Sequence, residues 1–282
     1  LKVLYAGTDK AGDFYRQFHY ALFSYISHRI PEISDEVYRV DDAMMAGFGW
    51  EIGAFESWDT LGFVKTTEAM KAAGYSVAPW IDEMISKGIT SFFKVENGKS
   101  LYYDIASQSY KAKPGADAFI VMKNFANETV WKNSACRTYH LGEDVIGLEW
   151  YTKMGSIGGE VLEGIQKSIA LAEEKYKGLV IANDGANFSA GANVAMIFMM
   201  AIEQDYDEID MAIRQFQQTM MRVRYSSIPV VLAPHGLALG GGCEMSLHAD
   251  KVIAAAETYT GLVEAGIGVI PGGGGTKEFV LR

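Results

Sequence analysis

The order of apolar and polar positions divides the chain into a first stretch of helical period and a later one in which strands and helices alternate. Phe14, Phe18, Ala21, Leu22, Tyr25 and Ile26 recur at helix spacing, and Pro31 ends the helix they predict. From Gly47 to Gly62 the glycines and aromatics of GFGWEIGAFESWDTLG predict a tight helix–loop–helix packing in preference to a ligand loop. Pro79 stands where a first helical turn begins, ahead of a short helix up to Gly88. Phe92–Glu96 and Lys99–Tyr103 flank Asn97-Gly98, a dipeptide that favours a type I′ turn, and so predict a hairpin. The polar stretch 107–115 and the region up to Ser134 read as a connector.

Beyond Ser134 the pattern predicts a strand over Val145–Trp150 and a helix over Gly159–Lys175, with Val161, Leu162, Ile165 and Ile169 on one face. A buried strand follows over Gly178–Asn183, then a helix over Val194–Ala201. Ile209, Ile213, Phe216, Met220 and Val223 mark another helix, and Val230–Leu239 and Lys251–Ala256 are further strands. Strands interleaved with helices point to an α/β layer fold. No internal repeat or low-complexity tract is visible.

Composition narrows the function. At 282 residues there is room for one large or two ordinary domains. A formal charge of −10 argues against general nucleic-acid binding, which needs a basic surface. It leaves room for a small anionic ligand held by helix N-termini and a few local cations. Two cysteines, Cys136 and Cys243, make no disulfide framework, and a reducing, cytoplasmic setting is expected. No apolar run approaches the roughly 18–20 residues of a membrane span, and no signal peptide is recognised at the start. The chain opens at Leu1 without a methionine and stops at Arg282 inside what reads as an unfinished helix, so it reads as a fragment.

Two glycine-rich turns carry candidate chemistry. Phe188–Asn193 (FSAGAN) follows one strand, and Gly240-Gly241-Gly242-Cys243-Glu244 follows another. Each lies between a strand and a helix, where unpaired peptide N–H groups can face a ligand. Two such donors on one oxygen would form an oxyanion hole, each worth about 10²–10³ in rate. Neither turn is a phosphate loop, because Gly242 leads into Cys243-Glu244 where a Walker loop needs Lys-Ser or Lys-Thr. Glu244 falls in the first turn of the next helix, where it would either complement the helix dipole or point into a pocket. Glu264 lies among apolar and small residues, ahead of Pro271 and four glycines. It is either an exposed loop acid or a desolvated carboxyl suited to proton transfer.

Three segments then resemble one family. Leu232–Glu244 (LAPHGLALGGGCE) is similar to the signature of the enoyl-CoA hydratase/isomerase, or crotonase, family. FSAGAN resembles its first oxyanion-hole segment, and Leu262–Thr276 (LVEAGIGVIPGGGGT) the segment of its second glutamate. The resemblance covers roughly residues 135–282. It implies a crotonase-type ββα core that takes a CoA thioester as substrate, with no tightly bound cofactor and no metal. By the same resemblance the N–H groups of Ala192 and Gly241 match the two donors to the thioester oxygen, and Glu244 and Glu264 match the catalytic pair. The N–H of Gly272 matches a donor to the reacting water. Lys153–Ile157, with Lys153, Met154 and Ser156, matches a segment along the CoA, joined there by Ala190, Gly191 and Ala192.

Tyr38–Phe63 (YRVDDAMMAGFGWEIGAFESWDTLGF) in turn resembles the C-terminal helical domain of 3-hydroxyacyl-CoA dehydrogenases, with Ala54 where that family has proline. No GxGxxG follows a strand, so NAD would enter only through a domain that is missing here. The expected organisation is a helical domain over 1–75, a connector with a hairpin over 76–134 and a crotonase-like domain over 135–282 that lacks its last helices. The resemblance implies the enoyl-CoA hydratase part of a bifunctional β-oxidation protein, homo-oligomeric through crotonase contacts. The alternatives are an enoyl-CoA isomerase, which needs one glutamate, and a non-catalytic acyl-CoA-binding or assembly module. Asn193 stands where many relatives have Asp, and His235 reads as a structural strand-end residue.

Overall fold

The computed structural model describes residues 1–116 and 118–281. Asp117, in the stretch read as connector, and Arg282, the last residue of the pattern that reads as an unfinished helix, lie outside them. The chain folds as two compact units, Leu1–Ile120 and Val121–Arg282. No helix of the described residues is long and apolar enough to cross a membrane.

The first unit holds helices α1 (Lys2–Tyr5), α2 (Lys10–Arg29), α3 (Val37–Phe48), α4 (Ala54–Leu61), α5 (Phe63–Ala72) and α6 (Pro79–Ser86). Strands β1 (Phe93–Glu96), β2 (Lys99–Asp104) and β3 (Ser109–Ala112) follow as an antiparallel sheet. Asp9 starts α2 by accepting the Gly12 N–H, the usual work of a cap. On α2 the face that turns inward is Tyr20, Phe23 and Ile26, while Phe14, Phe18 and Tyr25 stay exposed. Period alone predicts the helix but not which of two apolar stripes is covered. Trp58 decides it by stacking on Phe23 at 4.8 Å. The hairpin belongs to this same core, because Phe92 packs on Phe63 at 4.5 Å and Tyr103 is buried. The stretch 76–134 is therefore not a separate connector. It divides between the two units, its hairpin sealing the first core and its last residues entering the sheet of the second.

Two carboxylates tie these elements together. Asp41 of α3 accepts the N–H groups of Phe55 and Glu56 at 2.8 Å each, capping α4 from a neighbouring helix. Asp59 of α4 accepts the N–H groups of Phe92 and Phe93 at 2.9 Å and so anchors the hairpin. Burial pushes the Asp59 carboxyl up to about 7, against the pull of those two donors, and Asp41 and Glu56 add to the rise. A carboxyl raised in the folded state stabilises most below its unfolded value of 3.8, and that contribution is lost as pH climbs to about 7. The urea midpoint of unfolding should therefore fall as pH rises between those values. Asp59→Asn should flatten that dependence; an unchanged slope would exclude Asp59 as its source.

The second unit holds a six-stranded sheet in the order β10-β8-β7-β6-β5-β4. Its strands are β4 (Thr129–Lys132), β5 (Cys136–Gly142), β6 (Val145–Trp150), β7 (Gly178–Ile181), β8 (Val230–Leu232) and β10 (Lys251–Val252). β4, β5 and β6 pair antiparallel, and the remaining pairs are parallel. Parallel neighbours need crossovers, and α7 (Gly159–Lys175) joins β6 to β7. Its Val161, Leu162, Ile165 and Ile169 are all buried, each worth about 1.5–3 kcal/mol relative to exposure. The helices α8 (Val194–Ile202) and α9 (Tyr206–Arg224) lie between β7 and β8 in sequence. α8 is apolar throughout yet exposes Met196, Phe198 and Met199.

The expected strand Val230–Leu239 is two strands. Pro234, which has no N–H for a ladder, stands between β8 and β9 (Leu237–Leu239). β9 leaves the large sheet and pairs in parallel with β11 (Tyr259–Gly261) in a two-stranded sheet of its own. The helix α10 (Gly241–His248) follows β9 directly, and α11 (Gly275–Leu281) closes the described chain. The expected strands over 178–183 and 251–256 are shorter, ending at Ile181 and Val252.

Candidate active site

Both glycine-rich turns hang on β9. Ser189 donates its N–H to the Leu237 carbonyl at 2.9 Å and accepts from the Leu239 N–H at 2.8 Å. Asn183 pins the start of the same loop, accepting the Trp150 N–H and donating to the Phe188 carbonyl at 2.7 Å. A methyl group placed on Gly191 would lie 3.5 Å from the Gly241 nitrogen, so the two turns touch. Ala192 follows Gly191 and is exposed; Gly241 is buried at the first position of α10. Among the described residues neither N–H has an acceptor. Two unpaired donors on adjoining turns are a place for an oxygen that carries charge.

Glu244 and Glu264 approach the same corner from different elements. Gly240 takes φ 52° and ψ −119°, a conformation glycine adopts without penalty, and thereby turns β9 into α10. A side chain there would come within 3.0 Å of the Glu264 Oε1. Glu264 opens a one-turn 3₁₀ helix over Glu264–Ile267 and is half-buried, with Oε2 shielded and unpartnered among the described residues. It is not the exposed loop acid.

Glu244 is buried, and its Oε1 accepts the N–H groups of Gly273 at 2.8 Å and Gly275 at 2.9 Å. Its carboxyl therefore faces the glycine run and does more than offset the dipole of α10. Burial raises its pKa above the usual carboxylate value; the Gly275 and Gly273 N–H groups oppose that, and the charge of Glu264 adds to it. A carboxyl whose charged form burial penalises is suited to proton transfer.

Within the glycine run, Gly273 and Gly275 hold the Glu244 carboxyl, and Gly272 does not donate to it. The Gly272 carbonyl instead accepts Gln217 Nε2 of α9 at 2.7 Å, and its N–H has no acceptor among the described residues. Phe216, beside Gln217, lies against the second turn and the glycine run. Its ring would be 2.8 Å from a methyl on Gly241 and 2.3 Å from one on Gly273. Neither Gly273, Gly275 nor Phe216 stood out in the sequence, although four consecutive glycines already signal a close backbone approach.

The segment matched to CoA lies alongside. The Ala190 N–H donates to the Met154 carbonyl and the Ile157 N–H to the Gly191 carbonyl, both at 3.0 Å. Lys153 and Met154 are exposed beside the first turn, and Ser156 is half-buried. Asn193 caps α8 by accepting the Met196 N–H. His235 Nε2 meets the Gly185 carbonyl at 2.5 Å, and its own carbonyl accepts the Phe188 N–H, so its role is to fix the loop.

Residues 145–282 match the family model described as enoyl-CoA hydratase/isomerase. The whole chain is 40% identical to a protein of Bacillus subtilis (strain 168) named "Probable 3-hydroxyacyl-CoA dehydrogenase", covering 36% of it. It is 27% identical to a "Putative fatty acid oxidation complex trifunctional enzyme" of Rickettsia prowazekii (strain Madrid E), again over 36% of that protein. The chain thus spans about a third of the length of these curated relatives. Among solved structures, an enoyl-CoA hydratase from Polaromonas sp. JS666 superposes with a TM-score of 0.50. That match has 22% identity and covers 52% of this chain and 58% of the other. An enoyl-CoA hydratase from Bacillus anthracis gives a TM-score of 0.47 at 28% identity, over 52% and 57% of the two chains. The C-terminal part of this chain, residues 145–282, thus carries a domain that matches the enoyl-CoA hydratase/isomerase, or crotonase, family.

Proposed function

We propose that the second unit hydrates trans-2-enoyl-CoA to 3-hydroxyacyl-CoA in cytoplasmic fatty-acid β-oxidation. It would act as part of a bifunctional 3-hydroxyacyl-CoA dehydrogenase/enoyl-CoA hydratase whose NAD-binding domain is absent here. The observation that carries the reading is the presence of two carboxyls, Glu244 and Glu264, at one glycine corner beside two unpaired N–H groups.

A conjugated thioester accepts a nucleophile at C3 once negative charge can move onto its carbonyl oxygen. The Ala192 and Gly241 N–H groups would hold that charge. Water between the two carboxyls gives a proton to the ionised one while its oxygen bonds to C3. The neutral one delivers a proton to C2 as the enolate collapses, so the sum is addition of one water. Which carboxyl starts ionised and which neutral is left open, and no fixed role is assigned to either. Lys153, Met154 and Ser156 would lie along the CoA with Ala190 and Gly191. No tightly bound cofactor is invoked, and contacts between copies of the domain would assemble a homo-oligomer.

An isomerase shifts the double bond with a single carboxyl, so the nearness of the second favours hydration. With a short trans-2-enoyl-CoA, the conjugated-thioester absorbance should fall and mass spectrometry should find one added water. A product of unchanged mass with a moved double bond would establish isomerisation instead. Affinity for CoA without turnover would leave an acyl-CoA-binding module.

A further inference from the structure

Behind the glycine run, α11 carries a carboxylate that no part of the proposed reaction uses. Glu278 is fully buried, one helical turn beyond Gly275. Its Oε2 accepts Arg224 Nη1 at 2.6 Å from the last turn of α9. Its Oε1 lies 3.0 Å from Lys277 Nζ and 3.8 Å from His248 Nε2 at the end of α10. His248 Nδ1 meets the carbonyl of Glu244 at 2.7 Å, so that nitrogen carries the hydrogen. One carboxylate thus gathers three elements: α9, which also bears Phe216 and Gln217, α10, which bears Glu244, and α11, which begins with a donor to Glu244.

Burying an ion pair stabilises a fold little compared with an apolar pair of the same volume, so stability is a weak reason for this arrangement. What charge-assisted hydrogen bonds supply and apolar packing does not is direction. A leucine at 278 would let α11 turn about its axis; the Arg224 contact fixes that rotation. The Gly273 and Gly275 N–H groups sit at the entry to the same helix and move with it. We propose that Glu278 is a positioning residue for Glu244, holding α11 against Arg224 so that both glycine N–H groups stay on the Glu244 carboxylate.

The consequence is measurable without substrate. Donors to a carboxylate favour its charged form, so loosening them must raise the Glu244 pKa further. Glu264 is the titratable group whose field reaches the Glu244 carboxyl, and a change at 278 leaves it unaltered, as it does Cys243, whose thiol the Glu244 charge raises. The test is a carboxyl-carbon NMR titration of the protein and of Glu278→Gln, with the Glu244 signal assigned by its loss in Glu244→Gln. The midpoint for Glu244 should move to higher pH in Glu278→Gln and return toward the parent value in Glu278→Asp. Should Glu278→Gln fail to fold, Arg224→Gln removes the same contact from the α9 side and should give the same shift. An unmoved Glu244 midpoint in the folded variant overturns the proposal, whatever happens to activity.

A kinetic arm rests on the hydration reading. There kcat should fall by up to about 10²-fold, the cost of a small misplacement, with KM changed far less. The acid limb of its pH profile should shift with the NMR midpoint. If Glu244→Gln proved fully active, the hydration reading would fall while the titration arm kept its meaning.

Discussion

Glu244→Gln should lower turnover of a short conjugated enoyl-CoA by about 10²–10⁴-fold, the usual worth of a positioned acid–base group. Glu264→Gln should cost a similar factor, because hydration needs a proton taken from water and another given to C2. The effect belongs to chemistry and not to folding. Glutamine keeps an oxygen that can accept from Gly273 and Gly275. It also removes a charge that burial penalises, since the folded-state pKa of Glu244 is raised. The sign follows: the parent loses stability as pH rises from 4.5 through that raised value, and the glutamine variant does not. At neutral pH the variant should therefore unfold at an equal or higher urea concentration while nearly inactive. Parent-like rates in both variants would remove these two side chains from the reaction. Loss in only one would point to an isomerase.

Gly273→Ala should harm both activity and fold. The added methyl would meet the Phe216 ring at 2.3 Å and the Glu244 Oε2 at 2.6 Å, distances that force one of them to move. Overpacking of this kind costs about 1–3 kcal/mol, visible as a lower urea midpoint. Displacing Glu244 should add a loss of about 10²-fold in kcat/KM. The two penalties have different remedies. Phe216→Leu in the same chain makes room at the ring and should recover part of the stability. It leaves the methyl against the carboxylate, so activity should recover less. A Gly273→Ala protein with parent stability and rate would mean that the turn does not press on the glutamate.

How far these features were visible beforehand depends on the range of the interaction that makes them. The long helices α2, α7 and α9 and the Asn97-Gly98 hairpin follow from local period and turn chemistry, and all four are present. β4, β5 and β11 left little local trace. Arg137, Thr138 and Tyr139 become strand by pairing with β6, not by a pattern of their own. The break at Pro234 was written in the residue but masked by the apolar run around it. At the site, Glu244, Glu264 and both glycine turns could be picked out because family-like motifs surround them. Phe216 could not, since in a helical pattern it reads as one more core position, and its contact with Gly241 and Gly273 is made across the fold. Glu278 gave no signal either. A glutamate ahead of Phe279 near the end of a chain looks like a solvated face until Arg224 is brought beneath it.

The split at Pro234 bears on how this protein would fail. Both turns ride on the ribbon of β9 and β11, three residue pairs wide, while the hydrophobic mass of the unit is knitted by the larger sheet. Peeling that narrow ribbon away would scatter amides and acids together and leave the six-stranded layer standing. Loss of chemistry can therefore precede loss of shape on heating, with an inactive molecule that still carries most of its native circular dichroism.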